Sequence, residues 1–382
     1  MNALDLISQQ DFKQILGWNS TQPEIINACL HEIFDSQVTM RPEAPAVCSY
    51  DVNFTYKELD VHSTRLARYL TSLGVGPEVM VPVCFDKSAW TIVAMLGILK
   101  AGGACVALDP KHPVSRLKDI AHDVEAQLVM VAPCYASVFE EFISHVIAVD
   151  AATIVNLPAE KMTMAKTKPA DAAFVVFTSG STGQPKGIVL EHASLCTSAH
   201  AHGTVTGIGP QSRVLQFAAY TFDVSIQDIF TTLMRGGCVC IITDNERLDD
   251  LAGAINRLNA NWACLTSTVA RLIHPNEVPS IKTLVLGGEP ASVDVVMKWA
   301  DHVELSNVYG PAESSIWTSC NPKLRADSNP SNIGRALASR LWIADINDHS
   351  RLVPIGCIGE LLLEGPLLAR GYLKNKEKTS KA

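Results

Sequence analysis

Nowhere in the 382-residue sequence do two cysteines form a CxxC pair, and no histidine pair has HExxH or similar ligand spacing, which argues against a structural or catalytic zinc centre. The 11 cysteines are a small fraction of so long a chain. The closest pair, Cys238 and Cys240, would share one face of a strand as small buried hydrophobes, so the expectation is reduced thiols in a cytoplasmic protein. Long apolar runs are equally scarce. The longest, Ala89 to Leu99, stops at Lys100, well short of the roughly 20 residues a bilayer span needs, and reads as a buried helix. The opening residues mix Asp5, Gln9, Gln10 and Asp11 among apolar ones, which does not make an export signal. Basic patches are missing too: Lys+Arg 31 against Asp+Glu 39 gives a net charge of −8, which repels nucleic acid and anionic membranes.

What is present is the composition of a folded body, 47% hydrophobic and 18% charged, long enough for two or three lobes. Residues 1–24 read as a linker arm with a short helical stretch near Leu4 to Leu16, and organisation begins with helical spacing over Ile25 to Phe34. Short strands at Ala46 to Cys48 and Phe54 to Tyr56 flank a turn at Asp51 to Asn53, and Leu59 to Leu73 resumes helical spacing. Strand and helix signals then alternate from Val79 to Val131, and again from Val214 to Trp299, the pattern of α/β lobes whose mostly parallel sheets are sandwiched by helices. The two lobes are expected to run to about residue 331. From about 332 to 382, short strands at Leu341 to Ile346 and Gly359 to Glu364 suggest a small β-rich third lobe.

Between the apolar runs Phe174 to Phe177 and Gly187 to Leu190 lies Thr178-Ser179-Gly180-Ser181-Thr182-Gly183-Gln184-Pro185-Lys186. Glycines let backbone N–H groups approach anionic oxygens, hydroxyls add donors, and Lys186 adds a cation, so the segment has the make-up of a phosphate cradle. It is not a Walker A loop, because Gly187 follows the lysine and Pro185 intrudes. Taken alone, a polar hairpin connector explains it as well.

Phe177 to Gly187 closely resembles the phosphate-loop signature of the adenylate-forming superfamily, which includes nonribosomal peptide synthetase adenylation domains, acyl-CoA ligases and luciferases. Five more segments match in order: Phe54 to Leu59, Leu99 to Ala104 leading to Asp109-Pro110, Phe222 to Ser225, Asn307 to Glu313, and Gly359 to Leu361 leading to Ala369-Arg370-Gly371-Tyr372. The chain thus resembles the N-terminal core of a fungal-type adenylation domain, residues 25–382, with the C-terminal lid and its catalytic lysine lying outside the sequence.

That resemblance implies attack of an amino-acid carboxylate on ATP, then transfer to the phosphopantetheine thiol of a peptidyl carrier protein, beside a neighbouring condensation domain. Lys186 and Glu313 would be catalytic, with Glu313 holding Mg²⁺. The nucleotide would lie against Thr178, Ser179, Gly180, Ser181, Thr182, Gly183 and Lys186, and against Gly287, Gly288, Glu289, Asn307, Tyr309, Gly310, Ala312 and Glu313. Many relatives carry Thr where Ala312 stands. Asp223 is open to two readings, a helix N-cap or the partner of a substrate α-ammonium, the second being what the resemblance implies. Position by position it implies a side-chain pocket of Val224, Gln227, Cys264, Val285, Gly287, Val308, Ile316 and Trp317, which suits a neutral, largely apolar amino acid. His192 reads as structural. The competing readings are an acyl- or aryl-acid CoA ligase and a non-catalytic module binding ATP and an amino acid.

Overall fold

The computed structural model describes residues 7–158, 166–179 and 185–381. In chain order the strands are β1 (Pro45–Cys48), β2 (Phe54–Thr55), β3 (Met80–Cys84), β4 (Ala104–Leu108), β5 (Leu128–Val131), β6 (His145–Ala148), β7 (Ala172–Ser179), β8 (Pro185–Glu191) and β9 (Arg213–Gln216). There follow β10 (Cys238–Ile241), β11 (Trp262–Leu265), β12 (Thr283–Leu286), β13 (Glu304–Tyr309), β14 (Ser319–Asn321) and β15 (Arg335–Ala336). The last are β16 (Arg340–Asp345), β17 (Asp348–Leu352), β18 (Glu360–Glu364) and β19 (Gly371–Tyr372).

They form three sheets, ordered β19-β8-β7-β4-β3-β5-β6, β15-β14-β13-β12-β11-β9-β10-β1-β2, and β17-β16-β18. The inner pairs of the two large sheets are parallel, with helices in the crossovers, and antiparallel strands sit toward the edges. The α/β expectation holds, and the sheets are not assembled in simple chain order. β1, early in the chain, joins the second large sheet by pairing with β10 and carries β2 at its edge, and β19, late in the chain, completes the first by pairing with β8. Residues after 332 therefore serve both large sheets as well as the small one.

Several matched motifs turn out to be structural. Thr55 caps the helix Tyr56–Ser72 by accepting from the Glu58 N–H at 3.2 Å, while Glu58 returns a bond to the Thr55 N–H at 2.8 Å, a reciprocal box that closes two orphan donors. The fully buried Tyr56 hydroxyl reaches the carbonyls of Leu233 (3.0 Å) and Gly237 (2.7 Å), tying that helix to the second large sheet's side of the core. The helix Ala89–Ala101 is buried over nearly its whole length, as its apolar run predicts, and the buried Lys100 is neutralised by Asp35 and Asp60. Helical spacing over residues 25–34 misplaces one element: the helix is Leu30–Met40, because its first orphan amides are closed at Cys29 and Glu32. The helix His192–Val205 and strand β11 were not foreseen; both are too thoroughly buried to show a clean period. All 11 cysteines are free, with Cys238 and Cys240 buried as expected.

Candidate active site

Strand β9 ends at Gln216, and the connection 217–222 delivers Asp223 to the start of a helical stretch, Val224 to Met234. Five residues in its middle, Gln227–Thr231, form a π-helical turn, a local widening that recurs at functional sites. Asp223 has helical backbone angles and makes no side-chain capping bond, so the N-cap role is not used. Its Oδ2 is buried without a hydrogen-bond partner. Burial pushes the carboxyl up to about 7; the Val224 and Asp223 N–H groups oppose that, and the Glu313 charge adds to it. An acceptor left unpaired in this way costs about 1–3 kcal/mol, which a bound cation would recover.

Gln227, fully buried, accepts from Trp317 Nε1 through its Oε1, while its Nε2 has no partner among the described residues. The other pocket residues converge on one apolar cluster. Cys264 and Val285 are register partners on β11 and β12, and both join Val308, Ile316 and Trp317 in the main core, with the partly buried Val224 packed on it. Burial raises the Cys264 thiol, followed by the nearby carboxylates of Asp228 and Asp223. At Gly287 a Cβ would stand 2.5 Å from the Trp317 ring and 2.8 Å from Val308, so its missing side chain seats the tryptophan.

The turn after β13 carries Glu313 in a short 3-10 segment, Ala312–Ser314, and is strained. Ser315 and Ile316 both have positive φ, 54° and 83°, the second a rarity for a β-branched residue. A Cβ on Gly310 would stand 2.7 Å from the Trp317 Cα, so only glycine lets the turn double back and push Ile316 and Trp317 into the pocket. The strained turn is pinned by Ser198, whose hydroxyl donates to the Ser315 carbonyl at 2.5 Å. With that proton spent, Ser198 accepts from His202 Nδ1–H at 3.2 Å, and His202 Nε2 accepts from Thr231 in the π turn at 3.0 Å. Burial lowers His202 to about 3, which keeps the ring neutral. This relay was missed at the sequence level because its members lie far apart in the chain and match no spacing rule.

A second missed cluster holds the connection that leads to Asp223. The buried Lys87 donates to Gln216 O (3.0 Å), Gln216 Oε1 (2.5 Å) and Ala218 O (2.9 Å), and Asp228 accepts from the Ala218 N–H at 3.3 Å. Burial pulls Lys87 down and pushes Asp228 up, and each charge opposes the shift of the other.

Among the expected nucleotide contacts, Gly180, Ser181, Thr182 and Gly183 lie outside the described residues, as does the side chain of Ser179. Thr178 and Lys186 are register partners at the open end of the β7–β8 hairpin. Tyr309 ends β13 38% exposed, and Gly288 has φ 82° with room for a Cβ, whose nearest neighbour would be Thr266 Cγ2 at 3.8 Å. Two side chains are committed elsewhere. Glu289 accepts from the Thr268 N–H, which lowers its pKa, and Asn307 Nδ2 donates to Pro330 O (3.2 Å) and Asn332 O (3.3 Å), holding the approach to β15. His192 is structural as expected: its Nδ1 accepts from the Leu30 N–H at 3.2 Å, and burial lowers it to about 3.

Glu313 Oε1 accepts from the Tyr372 hydroxyl at 2.7 Å, and no described residue hydrogen-bonds to Oε2. Burial, and then Glu313, raise Tyr372 to about 12, so it stays a donor. No group of three described His, Cys, Asp or Glu side chains forms a metal cage. A single open carboxylate oxygen suits Mg²⁺, which takes one or two carboxylates and completes its shell from substrate phosphates and water.

The AMP-binding enzyme family matches residues 34–373, so the chain belongs to it. Within that family it is similar over nearly its whole length to fungal nonribosomal peptide synthetases: 49% identical to atnA of Emericella nidulans over 99% of this chain, and 48% identical to nonribosomal peptide synthetase 4 of Gibberella zeae over 99%. In each case it spans about 5% of the relative's length. The α-methyl-L-serine-AMP-bound structure of the synthetase FmoA3 shares the fold at a TM-score of 0.88 and 23% identity, covering 99% of this chain and 44% of that one.

Proposed function

We propose that this AMP-binding enzyme activates an amino acid: the substrate carboxylate attacks the α-phosphorus of ATP, giving an aminoacyl adenylate and pyrophosphate. The adenylate would then pass to the phosphopantetheine thiol of a peptidyl carrier protein, in line with the long synthetases it resembles. The observation that carries the reading is the unpartnered buried oxygen of Asp223 beside an apolar pocket, an arrangement suited to an α-ammonium that fatty and aryl acids lack.

In this reading the pocket fixes the side chain, with Gln227 Nε2 a donor that has no partner among the described residues, and a neutral, largely apolar side chain fits best. Lys186 and the loop before it would neutralise the phosphates, Tyr309 would lie along the adenine, and Glu313 would hold Mg²⁺, which when bound supplies positive charge to the phosphate oxygens. Ala312 offers no hydroxyl to the α-phosphate. The test is exchange of labelled pyrophosphate into ATP by the intact protein across a panel of acids. Exchange driven by one neutral amino acid is expected. Equal exchange with fatty or aryl acids would move the protein to the acyl-ligase branch, and binding without exchange would make it a non-catalytic module.

A further inference from the structure

The segment Ala369 to Tyr372 is farther along the chain than every residue given a role above, yet it touches Glu313 twice. The Ala369 N–H donates to the Glu313 carbonyl at 2.7 Å, and the Tyr372 hydroxyl donates to Glu313 Oε1 at 2.7 Å. Tyr372 is itself held from several sides. Its strand pairs with β8 at Ile188, and the next residue's N–H, on Leu373, donates to the Gly187 carbonyl at 2.7 Å, one residue from Lys186. Its own N–H donates to Thr379 Oγ1 at 2.9 Å, and the Lys378 ammonium lies 4.9 Å from its ring centre. Gly371 permits this: its φ is 138°, and a Cβ there would stand 2.7 Å from Thr379 Oγ1. A tyrosine held by its backbone and its ring, and aimed at one carboxylate oxygen, is a device for choosing which oxygen stays open.

We propose that Tyr372 is a positioning residue for Glu313: it occupies Oε1, turns Oε2 toward the nucleotide site, and couples the metal-holding carboxylate to the base of the phosphate hairpin. The inference rests on Glu313 being the Mg²⁺ carboxylate. A hydroxyl that holds one carboxylate oxygen removes the freedom of the group to rotate away, and the bound state then loses less entropy when the second oxygen is engaged. Lys186 and Glu313 would thus be set relative to one another through a single strand, although they lie far apart in sequence.

The test compares Y372F, E313Q and the double variant by calorimetry of ATP binding to this chain, once with Mg²⁺ and once with EDTA. Y372F removes one hydroxyl and keeps the ring. It is expected to weaken Mg²⁺-ATP binding 3- to 10-fold while leaving ATP binding in EDTA and amino-acid binding unchanged. In the E313Q background the same change should have no further effect, because the two residues act as one unit. If E313Q weakens Mg²⁺-ATP binding and Y372F does not, or if their losses simply add, the positioning role is overturned while the reading of Glu313 stands. If E313Q leaves Mg²⁺-ATP binding unaltered, the reading of Glu313 itself falls. Equal weakening by Y372F with and without Mg²⁺ would show that the hydroxyl supports the fold alone.

Discussion

Asp223 stands in a helix-start position where an aspartate ordinarily caps, but it leaves the amides uncapped and keeps one oxygen buried and unpaired. Raised to about 7 from an ordinary 3.8, it holds a proton in the fold across a range where the unfolded chain has already released it. The folded form is therefore favoured most below about pH 4, and that advantage is lost as pH rises toward 7. Asparagine does not titrate, so D223N should melt higher than the parent, with a gap that widens from pH 5 to pH 8. In the proposed reaction, the Michaelis constant for the amino acid should fall as pH is raised from 6 to 8, because an ammonium selects the ionised Asp223 carboxylate, which burial and then the Glu313 charge hold back from ionising. Melting curves and amino-acid titrations at those pH values check both, and a pH-independent gap would return Asp223 to a packing role. The residue type and its place at a helix start were legible from the sequence. Its missing bond was not, since only the path of the connection pinned by Lys87 decides where the carboxylate ends up.

At the scale of elements, the pocket is shaped by two local departures from regular geometry, the π turn Gln227–Thr231 and the doubled-back turn after β13, bridged by Ser198 and His202. Periodicity located the helix, with Ile226, Ile229, Phe230 and Leu233 buried, but a five-residue widening leaves no mark on an apolar pattern. The Gly-Pro step at Gly310 was legible as a turn; its closeness to Trp317 was not. G310A should cost about 1–3 kcal/mol through overpacking and shift Trp317 off Gly287. Denaturant melts would report the first effect. The second should appear as a change in tryptophan fluorescence and a larger loss in amino-acid affinity than in ATP affinity. A variant with parental stability and spectrum would show that the turn has slack.

For the whole molecule, Arg370 is the tie that the linear motif conceals. Its guanidinium meets both oxygens of Glu78 (2.6 and 2.9 Å), Glu191 (2.8 Å) and the Ala170 carbonyl (2.7 Å), joining the returning segment to the first large sheet's surroundings. The site is half open to solvent, so R370A should cost about 1–2 kcal/mol, a drop of a few degrees in Tm, and R370K should recover only part of it because an ammonium cannot span the fork. Equal stability of R370A and the parent would remove Arg370 from the tie. The alternating strand and helix signals made the two α/β lobes legible. The long-range returns of β1, β2 and β19 were not, because strands of two to four residues carry too little pattern to name their partners.

Those returns have a consequence for how the chain is made. While it emerges from the ribosome at roughly 5–20 residues per second, β1 waits for β10, and β8 waits about as long for β19, so open strand edges persist for some tens of seconds. Such edges are templates for pairing with a neighbouring nascent chain until β10 and β19 are made.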